Sequence, residues 1–168
     1  AFFEHAPVYC YMVAPNGLIL DVNAAACAAL GYSRTELVGA PVSHLYAPAA
    51  RAKAQAVFER WRATGRVLNE ELSLQTRLGA ERVVLLSAEA VRDAAGQVLY
   101  AVFVQRDITD RAQTEAALRH ANAALRASEE RLARVVETAP DGLIIVDAAG
   151  QITFANAAAE RILGLTRR

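Results

Sequence analysis

A stretch near the N terminus recurs near the C terminus, and this repeat constrains the fold more than any other feature. A shift of 133 residues, which places Asn156 over Asn23, aligns residues 4–34 with residues 137–167 without a gap. The identities fall on a turn glycine, a helix cap and a helix stop, where backbone geometry limits the choice of residue. The matching pairs are Glu4/Glu137, Ala6/Ala139, Pro7/Pro140, Gly17/Gly150, Ile19/Ile152, Asn23/Asn156, Leu30/Leu163, Gly31/Gly164 and Arg34/Arg167, with three alanines after each asparagine.

The first copy reads as a hairpin that runs into short helices and then into three more strands. Asn16-Gly17 suits a tight turn between two apolar runs, and Asn23 is placed to cap an alanine-rich helix. Strands and helices that are segregated along the chain favour an α+β fold with one antiparallel sheet of five strands, flanked by short helices. The predicted elements are strands 8–13 and 18–22, helices 24–30, 33–38, 42–46 and 49–64, and strands 67–78, 82–91 and 97–106.

A long helix is predicted between the two copies. No Gly or Pro occurs between Asp107 and Pro140, and strong helix formers dominate there. Leucines recur every seven residues, which favours a short two-stranded coiled coil over a helix lying on its own domain. The predicted dimer seam comprises Leu118, Ala121, Leu125, Ser128, Leu132 and Val135. We therefore divide the chain into a first domain (1–107), a signalling helix (108–138) and the truncated start of a second domain (139–168).

Composition excludes several classes of function. Eighteen basic and eighteen acidic side chains balance, so neither nucleic acid nor direct insertion into a membrane is expected. The cysteines, Cys10 and Cys27, suit small core residues of a reduced, cytoplasmic protein. No apolar run reaches the length of about 18 residues that a membrane span requires. No catalytic constellation is found, and the sequence predicts no metal site.

The region 2–110 resembles a PAS domain, the sensory fold of many bacterial signalling proteins. The resemblance implies a PAS fold and a module that relays a ligand- or redox-dependent signal to an output domain in the same chain, within a bacterial two-component sensor histidine kinase. A diguanylate cyclase, a transcription regulator or a purely structural dimerisation module are the alternatives. The motifs that carry it are the AP…NG…DVN hairpin before AAACAALGYSRTELVG, the segment GAPVSHLYAP, the turns LGAER and AAGQV, and QRDITDR.

The last motif resembles the Asp-Ile-Thr junction through which the family joins its final strand to an outgoing helix. The resemblance implies that Asp107, Thr109 and Arg111 relay the signal. Asp107 is close in sequence to Arg106 and Arg111. The alternative is that Asp107 only ends the strand.

The final strand also predicts an interface, because it is apolar on both faces and such strands are covered on both sides. Alternation places Leu99, Ala101 and Phe103 on one face. The opposite face carries Val98, Tyr100, Val102 and Val104. We expect a homodimer that contacts through one of these faces and through the linker helix.

A cofactor is not required by the sequence, and the ligand stays unknown. In light-sensing relatives that bind flavin, a reactive cysteine stands where this chain has Val42, so adduct chemistry is not expected. Haem held by His44, or flavin bound without a covalent bond, are the alternatives. A pocket for an apolar or aromatic ligand competes with a fully packed core. Its expected lining is Tyr11, Leu30, Leu37, Leu45, Phe58, Trp61, Leu72, Leu86 and Phe103.

Overall fold

A computed structural model describes residues 2–164, and the chain divides into two compact units between Gln113 and Thr114. The first unit contains α1 (Phe2–His5), β1 (Tyr9–Val13), β2 (Ile19–Val22), α2 (Ala24–Leu30), α3 (Arg34–Leu37), 3-10 helices at Val42–Leu45 and Pro48–Ala50, α4 (Arg51–Thr64), β3 (Arg66–Gln75), β4 (Glu81–Arg92) and β5 (Val98–Asp107). The helix α5 (Thr109–Thr138) begins in this unit. The second unit adds β6 (Ile144–Val146), β7 (Ile152–Ala155) and α6 (Ala157–Leu163).

The first unit is built on a five-stranded sheet in the order β2-β1-β5-β4-β3. Every neighbouring pair is antiparallel, which confirms the predicted α+β class. The strand β5 lies at the centre, although it comes last in the chain. Because β5 pairs with both β1 and β4, the exit of the domain lies beside its first strand.

Local sequence signals set the helix ends where they were predicted. The Asn23 side chain accepts a hydrogen bond from the Ala26 amide and so caps α2. The helix ends at Gly31, whose φ of 76° is left-handed and therefore favours glycine. Ser33 and Glu36 form a reciprocal capping box at the start of α3.

One face of the sheet packs against the helices and forms the core. In α4 the buried stripe is Ala54, Val57 and Trp61, whereas Ala52 and Ala56 are exposed. Burial of a large apolar side chain such as Trp61 contributes about 2–3 kcal/mol to stability.

The strand β5 departs from simple alternation near its start. Arg92 pairs with Val98 and Val91 pairs with Tyr100, so Leu99 is the extra residue of a bulge. Leu99 is 51% exposed, while Val98 packs against the core cluster. The prediction that Leu99 shares a face with Ala101 and Phe103 is therefore wrong, because the bulge reverses the alternation.

The second unit repeats the beginning of the first. The strands β6 and β7 pair antiparallel, and Asn156 caps α6 as Asn23 caps α2. Apolar side chains of the hairpin are exposed, Ile145 by 58% and Val146 by 56%. Among residues 2–164, no helix combines the length and the apolar character that crossing a membrane requires.

Candidate functional site

The first turn of α5 is tied to two strands of the sheet. The Thr109 amide donates a hydrogen bond to Asp107 Oδ1 over 2.8 Å, and the Thr109 hydroxyl donates to the same oxygen. In turn, the Val83 amide on β4 donates to Thr109 Oγ1 over 3.0 Å. The Ile108 amide donates to the Val83 carbonyl over 2.8 Å. The start of α5 is therefore hydrogen-bonded directly to both β4 and β5.

The other carboxylate oxygen of Asp107 has partners from distant parts of the sequence. The Tyr9 hydroxyl on β1 donates to Oδ2 over 2.5 Å, and Arg82 on β4 lies 3.5 Å from the same atom. Strand alternation places Arg106 on the opposite face of the sheet from Asp107. Arg111 lies in the exposed part of the first turn of α5. Asp107 thus joins β1, β4 and α5 at one point.

These contacts determine the ionisation of the junction. Partial burial disfavours the charged carboxylate, but hydrogen bonds from Thr109 and Tyr9, together with Arg82, outweigh it and lower the pKa of Asp107. Burial, followed by the hydrogen bond to Asp107, raises the pKa of Tyr9. The junction therefore pairs a carboxylate with a neutral phenol that donates.

Asn23 holds the segment that enters the first domain, a role beyond the capping that its sequence position predicts. Its Nδ2 donates to the carbonyls of Phe3 and Val8 over 3.2 and 2.9 Å, with Ala6 O at 3.4 Å. Its Oδ1 accepts from the amides of Cys10 and Ala26. The side chain is fully buried. The residue therefore joins α1, β1 and α2.

Asn156 makes the same contacts in the second unit. Its Nδ2 donates to Val136 O and Asp141 O, each over 2.9 Å. Its Oδ1 accepts from the amides of Leu143 and Ala159, also over 2.9 Å. A shift of 133 residues converts the four principal partners of Asn23 into these four. Since Val136 lies in the last turn of α5, Asn156 holds the end of that helix as Asn23 holds α1.

A cavity of about 120 Å³ lies beside α4. Four of the predicted pocket residues line it, namely Phe58, Trp61, Leu86 and Phe103. The ring centroids of Trp61 lie 5.5 Å from Phe58 and 6.2 Å from Phe103. The other predicted residues are buried in the core cluster and do not line the cavity, namely Tyr11, Leu30, Leu37, Leu45 and Leu72.

Three buried polar atoms lack a hydrogen-bond partner within residues 2–164, namely Trp61 Nε1, Tyr11 Oη and Gln105 Oε1. Trp61 is part of the cavity wall. The Gln105 amide approaches the Tyr46 hydroxyl at 3.5 Å, and Tyr46 also lines the cavity. Unpaired buried polar groups cost free energy, so a ligand or water that paired them would be stabilised. Gln105 is not among the predicted pocket residues, although strand alternation places it on the same face as Ala101 and Phe103 and so predicts a polar side chain in the core.

The residues that could take part in cofactor chemistry do not lie together at one site. His44 is exposed in its 3-10 helix and does not line the cavity, whereas Val42 does. Burial raises the pKa of both thiols, Cys10 and Cys27. No group of three or more His, Cys, Asp or Glu side chains within residues 2–164 is arranged to hold a metal ion.

The predicted seam is exposed on α5. Leu118, Leu125 and Leu132 are 60%, 58% and 62% exposed, and Val135 is 60% exposed. The small seam residues Ala121 and Ser128 are exposed as well. This apolar stripe is therefore not covered by the unit to which it belongs.

Solved structures with a similar fold come from several signalling proteins. A PAS domain from Colwellia psychrerythraea has a TM-score of 0.60 at 21% identity, covering 65% of this chain and 92% of that one. A domain of a sensory box sensor histidine kinase/response regulator from Geobacter sulfurreducens has a TM-score of 0.54 at 30% identity, covering 63% and 88%. An RNA-binding light-oxygen-voltage receptor has a TM-score of 0.63 at 20% identity, covering 72% and 35%.

Family models match both copies. The model described as PAS fold matches residues 3–113, and the model described as PAS domain matches residues 130–168. A comparison with curated proteins finds no match. Because the first model alone covers more than half of the 168 residues, and because the sheet, the junction and the repeat agree with it, the chain belongs to the PAS family of sensory domains.

Proposed function

We propose that this chain is a regulatory segment of a sensor histidine kinase, in which the first PAS domain controls the output through α5. The observation that carries the proposal is the junction at Asp107 and Thr109, where hydrogen bonds from β1, β4 and β5 converge on the first turn of the helix. The 30% identity to a domain of the Geobacter sensor histidine kinase/response regulator supports this choice of output.

The mechanism is a shift between two arrangements of sheet and helix. A ligand that binds one arrangement better changes its population, and the change can be no larger than the difference in binding free energy. Tilting β4 relative to β5 moves Val83 and Asp107 against each other. Both residues hold Thr109, so the helix follows.

A dimer completes the proposal. A second copy of the chain covers the exposed leucines of α5, which recur every seven residues as a two-stranded coiled coil requires. Small residues at Ala121 and Ser128 keep this seam weak, so that a modest energy from the sensor domain shifts it. The alternative in which α5 packs on its own domain leaves this stripe unexplained.

The phase of the helix tests the relay. We would join residues 1–139 in frame to the core of a histidine kinase and measure autophosphorylation. Removing seven residues within 112–130 preserves the seam, because seven residues are two turns of a coiled coil, and should preserve regulation. Removing four residues rotates the two halves and should change the output. Equal output from both deletions would contradict the relay.

The cavity supports a second proposal, that the first domain binds a compact ligand. An apolar cavity of roughly 150 Å³ accommodates benzene, so a cavity of about 120 Å³ suits a ligand of similar or smaller size. Trp61 is part of the cavity wall, and its Nε1 has no partner within the described range, so a ligand with a hydrogen-bond acceptor is preferred. The lining is mainly apolar, which favours an aromatic ligand, and it includes the cationic side chain of Arg51, with which an acceptor that carries negative charge is also compatible.

Thermal unfolding in the presence of small aromatic compounds tests this ligand class. Pyridine, which carries an acceptor nitrogen, should raise the melting temperature more than benzene, which has the same size and no acceptor. Ala88→Phe, which fills the cavity wall, should abolish both shifts, whereas Trp61→Phe should abolish only the difference between them. Equal shifts in the original protein and in Ala88→Phe would show that binding occurs elsewhere. An absorbance spectrum of the purified protein distinguishes haem or flavin, each of which has characteristic visible bands.

A further inference from the structure

A continuous set of hydrogen bonds joins the segment that enters the first domain to the helix that leaves it. Asn23 bonds the carbonyl of Val8 and the amide of Cys10, which are the two neighbours of Tyr9. The same side chain bonds the carbonyl of Phe3 in α1. The backbone on both sides of Tyr9 is therefore fixed by the residue that also holds α1.

The Tyr9 side chain continues this connection across the sheet. Its ring is buried, with 7% exposure, and its hydroxyl donates to Asp107 Oδ2. Asp107 in turn accepts from the amide and the hydroxyl of Thr109 at the start of α5. Tyr9 and Asp107 are 98 residues apart in sequence. The Tyr9 hydroxyl and the Asp107 carboxylate together connect the first strand to the outgoing helix.

We propose that Tyr9 is a positioning residue that couples the incoming segment of the first domain to its outgoing helix, through the route α1–Asn23–Tyr9–Asp107–Thr109. The inference rests on the proposed relay at Asp107 and Thr109 and adds an input to it. By this route a displacement of residues 3–8 reaches α5 without a ligand in the cavity. The start of α5 then responds both to a ligand bound in the cavity and to a displacement of the N-terminal segment.

The second copy shows which part of the route is special to the first. Asn156 reproduces the contacts of Asn23, so both copies hold the segment that enters them. The residue equivalent to Tyr9 is Gly142. A Cβ at Gly142 would lie 3.1 Å from Ala159 Cα, a tight contact that would require Ala159 to move by a few tenths of an ångström. The tyrosine is therefore a feature of the first domain and not a requirement of the repeated hairpin.

The chain offers a matched pair of variants. Tyr9→Phe removes a hydroxyl that bonds Asp107, and Tyr11→Phe removes a hydroxyl on the same strand and face that has no partner within residues 2–164. Hydrogen exchange of the amides at 109–113, followed by NMR, reports the opening of the first turn of α5. Amides of β3, at the far edge of the sheet, provide the reference for global unfolding.

We expect Tyr9→Phe to speed exchange at 109–113 by about tenfold relative to Tyr11→Phe, the factor that corresponds to one lost hydrogen bond to a charged group. Asn23→Asp, which keeps the acceptor but loses the donor, should speed exchange at the same amides. Combined with Tyr9→Phe it should add no further increase there, because the route is already broken. A purely structural role of Tyr9 predicts instead that the two effects add.

Equal exchange at 109–113 in Tyr9→Phe and Tyr11→Phe would overturn the inference, as would additive effects of Tyr9→Phe and Asn23→Asp. If Asn23→Asp does not fold, the comparison of the two tyrosine variants decides alone. Asp107→Ala separates the two proposals. Faster exchange in Asp107→Ala but not in Tyr9→Phe refutes the input route and keeps the relay, whereas no change in either variant refutes both.

Discussion

At the scale of single residues, Asp107 connects the first strand and β4 to the outgoing helix. One oxygen of its carboxylate accepts from Thr109 and the other accepts from Tyr9, with Arg82 close by. A carboxylate can accept several hydrogen bonds at once, whereas a neutral amide in its place offers one acceptor oxygen. The charge of Asp107 is therefore needed to hold a strand and a helix together.

The variant Asp107→Asn tests how much the charge of Asp107 contributes to stability, because that contribution should depend on pH. The folded-state pKa of Asp107 is lowered, so its contribution is present above the ordinary pKa of about 3.9 and is lost as the pH falls through the lower folded value. We expect the variant to be less stable by about 1–2 kcal/mol at neutral pH. The difference should shrink below about pH 4. Urea unfolding at several pH values measures both curves, and a constant difference down to acidic pH would contradict the assignment.

At the scale of secondary structure, the repeated asparagine explains how a helix is attached to each hairpin. In the first unit the asparagine accepts from a strand residue, Cys10, and in the second from Leu143, the residue just before β6. In both units it also accepts from a short helix and donates to the incoming segment. The donor half of this arrangement was not evident from the sequence, because a capping asparagine needs only its oxygen. The partners of the side-chain nitrogen are 15 to 20 residues away in sequence, so they come within reach only in the folded chain.

Asn156→Asp should separate the two halves of this arrangement. The aspartate still accepts from Leu143 and Ala159 but cannot donate to Val136 and Asp141. We expect the last turn of α5 to exchange its amide hydrogens about five to ten times faster, since one to two net hydrogen bonds are lost. The amides of α6 should change little. Asn156→Ala is the comparison, and it should expose both regions.

The seam of α5 contains two small residues, Ala121 and Ser128, which should limit the strength of the proposed coiled coil. Ala121→Leu together with Ser128→Leu should strengthen the proposed coiled coil, because each leucine buries apolar area worth about 1.5–3 kcal/mol. The dissociation constant of the dimer, measured by sedimentation, should fall by at least about tenfold. Ala123→Leu, which lies outside the seam in the same register, is the control and should leave the constant unchanged. Equal effects of both variants would show that the register is wrong.

At the scale of the whole molecule, the outer face of the sheet is the second surface that a partner copy is expected to cover. The face opposite the helices carries Val102, and Val104 is 37% exposed there. We propose that these two valines of the central strand contribute to the interface with a second copy. Together with α5, this face would give the proposed dimer two areas of contact.

Val104→Arg should therefore weaken the dimer without unfolding the domain. A charge on the covered face costs free energy on association, whereas on an open face it remains solvated. Sedimentation at tens of micromolar should show a dimer for the original protein and a larger monomer fraction for the variant. Circular dichroism checks that the fold is unchanged. A monomeric original protein would remove the dimer from the proposed function.

The sequence by itself determined the local geometry of this protein. Hairpin turns, helix caps such as Asn23, the stop at Gly31 and the long helix depend on backbone preferences within a few residues, and the structure agrees with them. The repeat and the family resemblance also came from the sequence alone, since both depend on the order of these local signals. The five-stranded sheet followed from their segregation along the chain.

The tertiary structure decided which distant side chains meet. The contacts of Asp107 with Tyr9 and Arg82 exist only because β5 lies between β1 and β4, an order that alternation within single strands does not reveal. The bulge that turns Leu99 outward depends on the register with β4. The cavity is lined by side chains of α4 and of the strands β4 and β5, which meet only in the folded chain. In each case the deciding free energy comes from packing between segments far apart in the chain, whereas sequence patterns report preferences between neighbours.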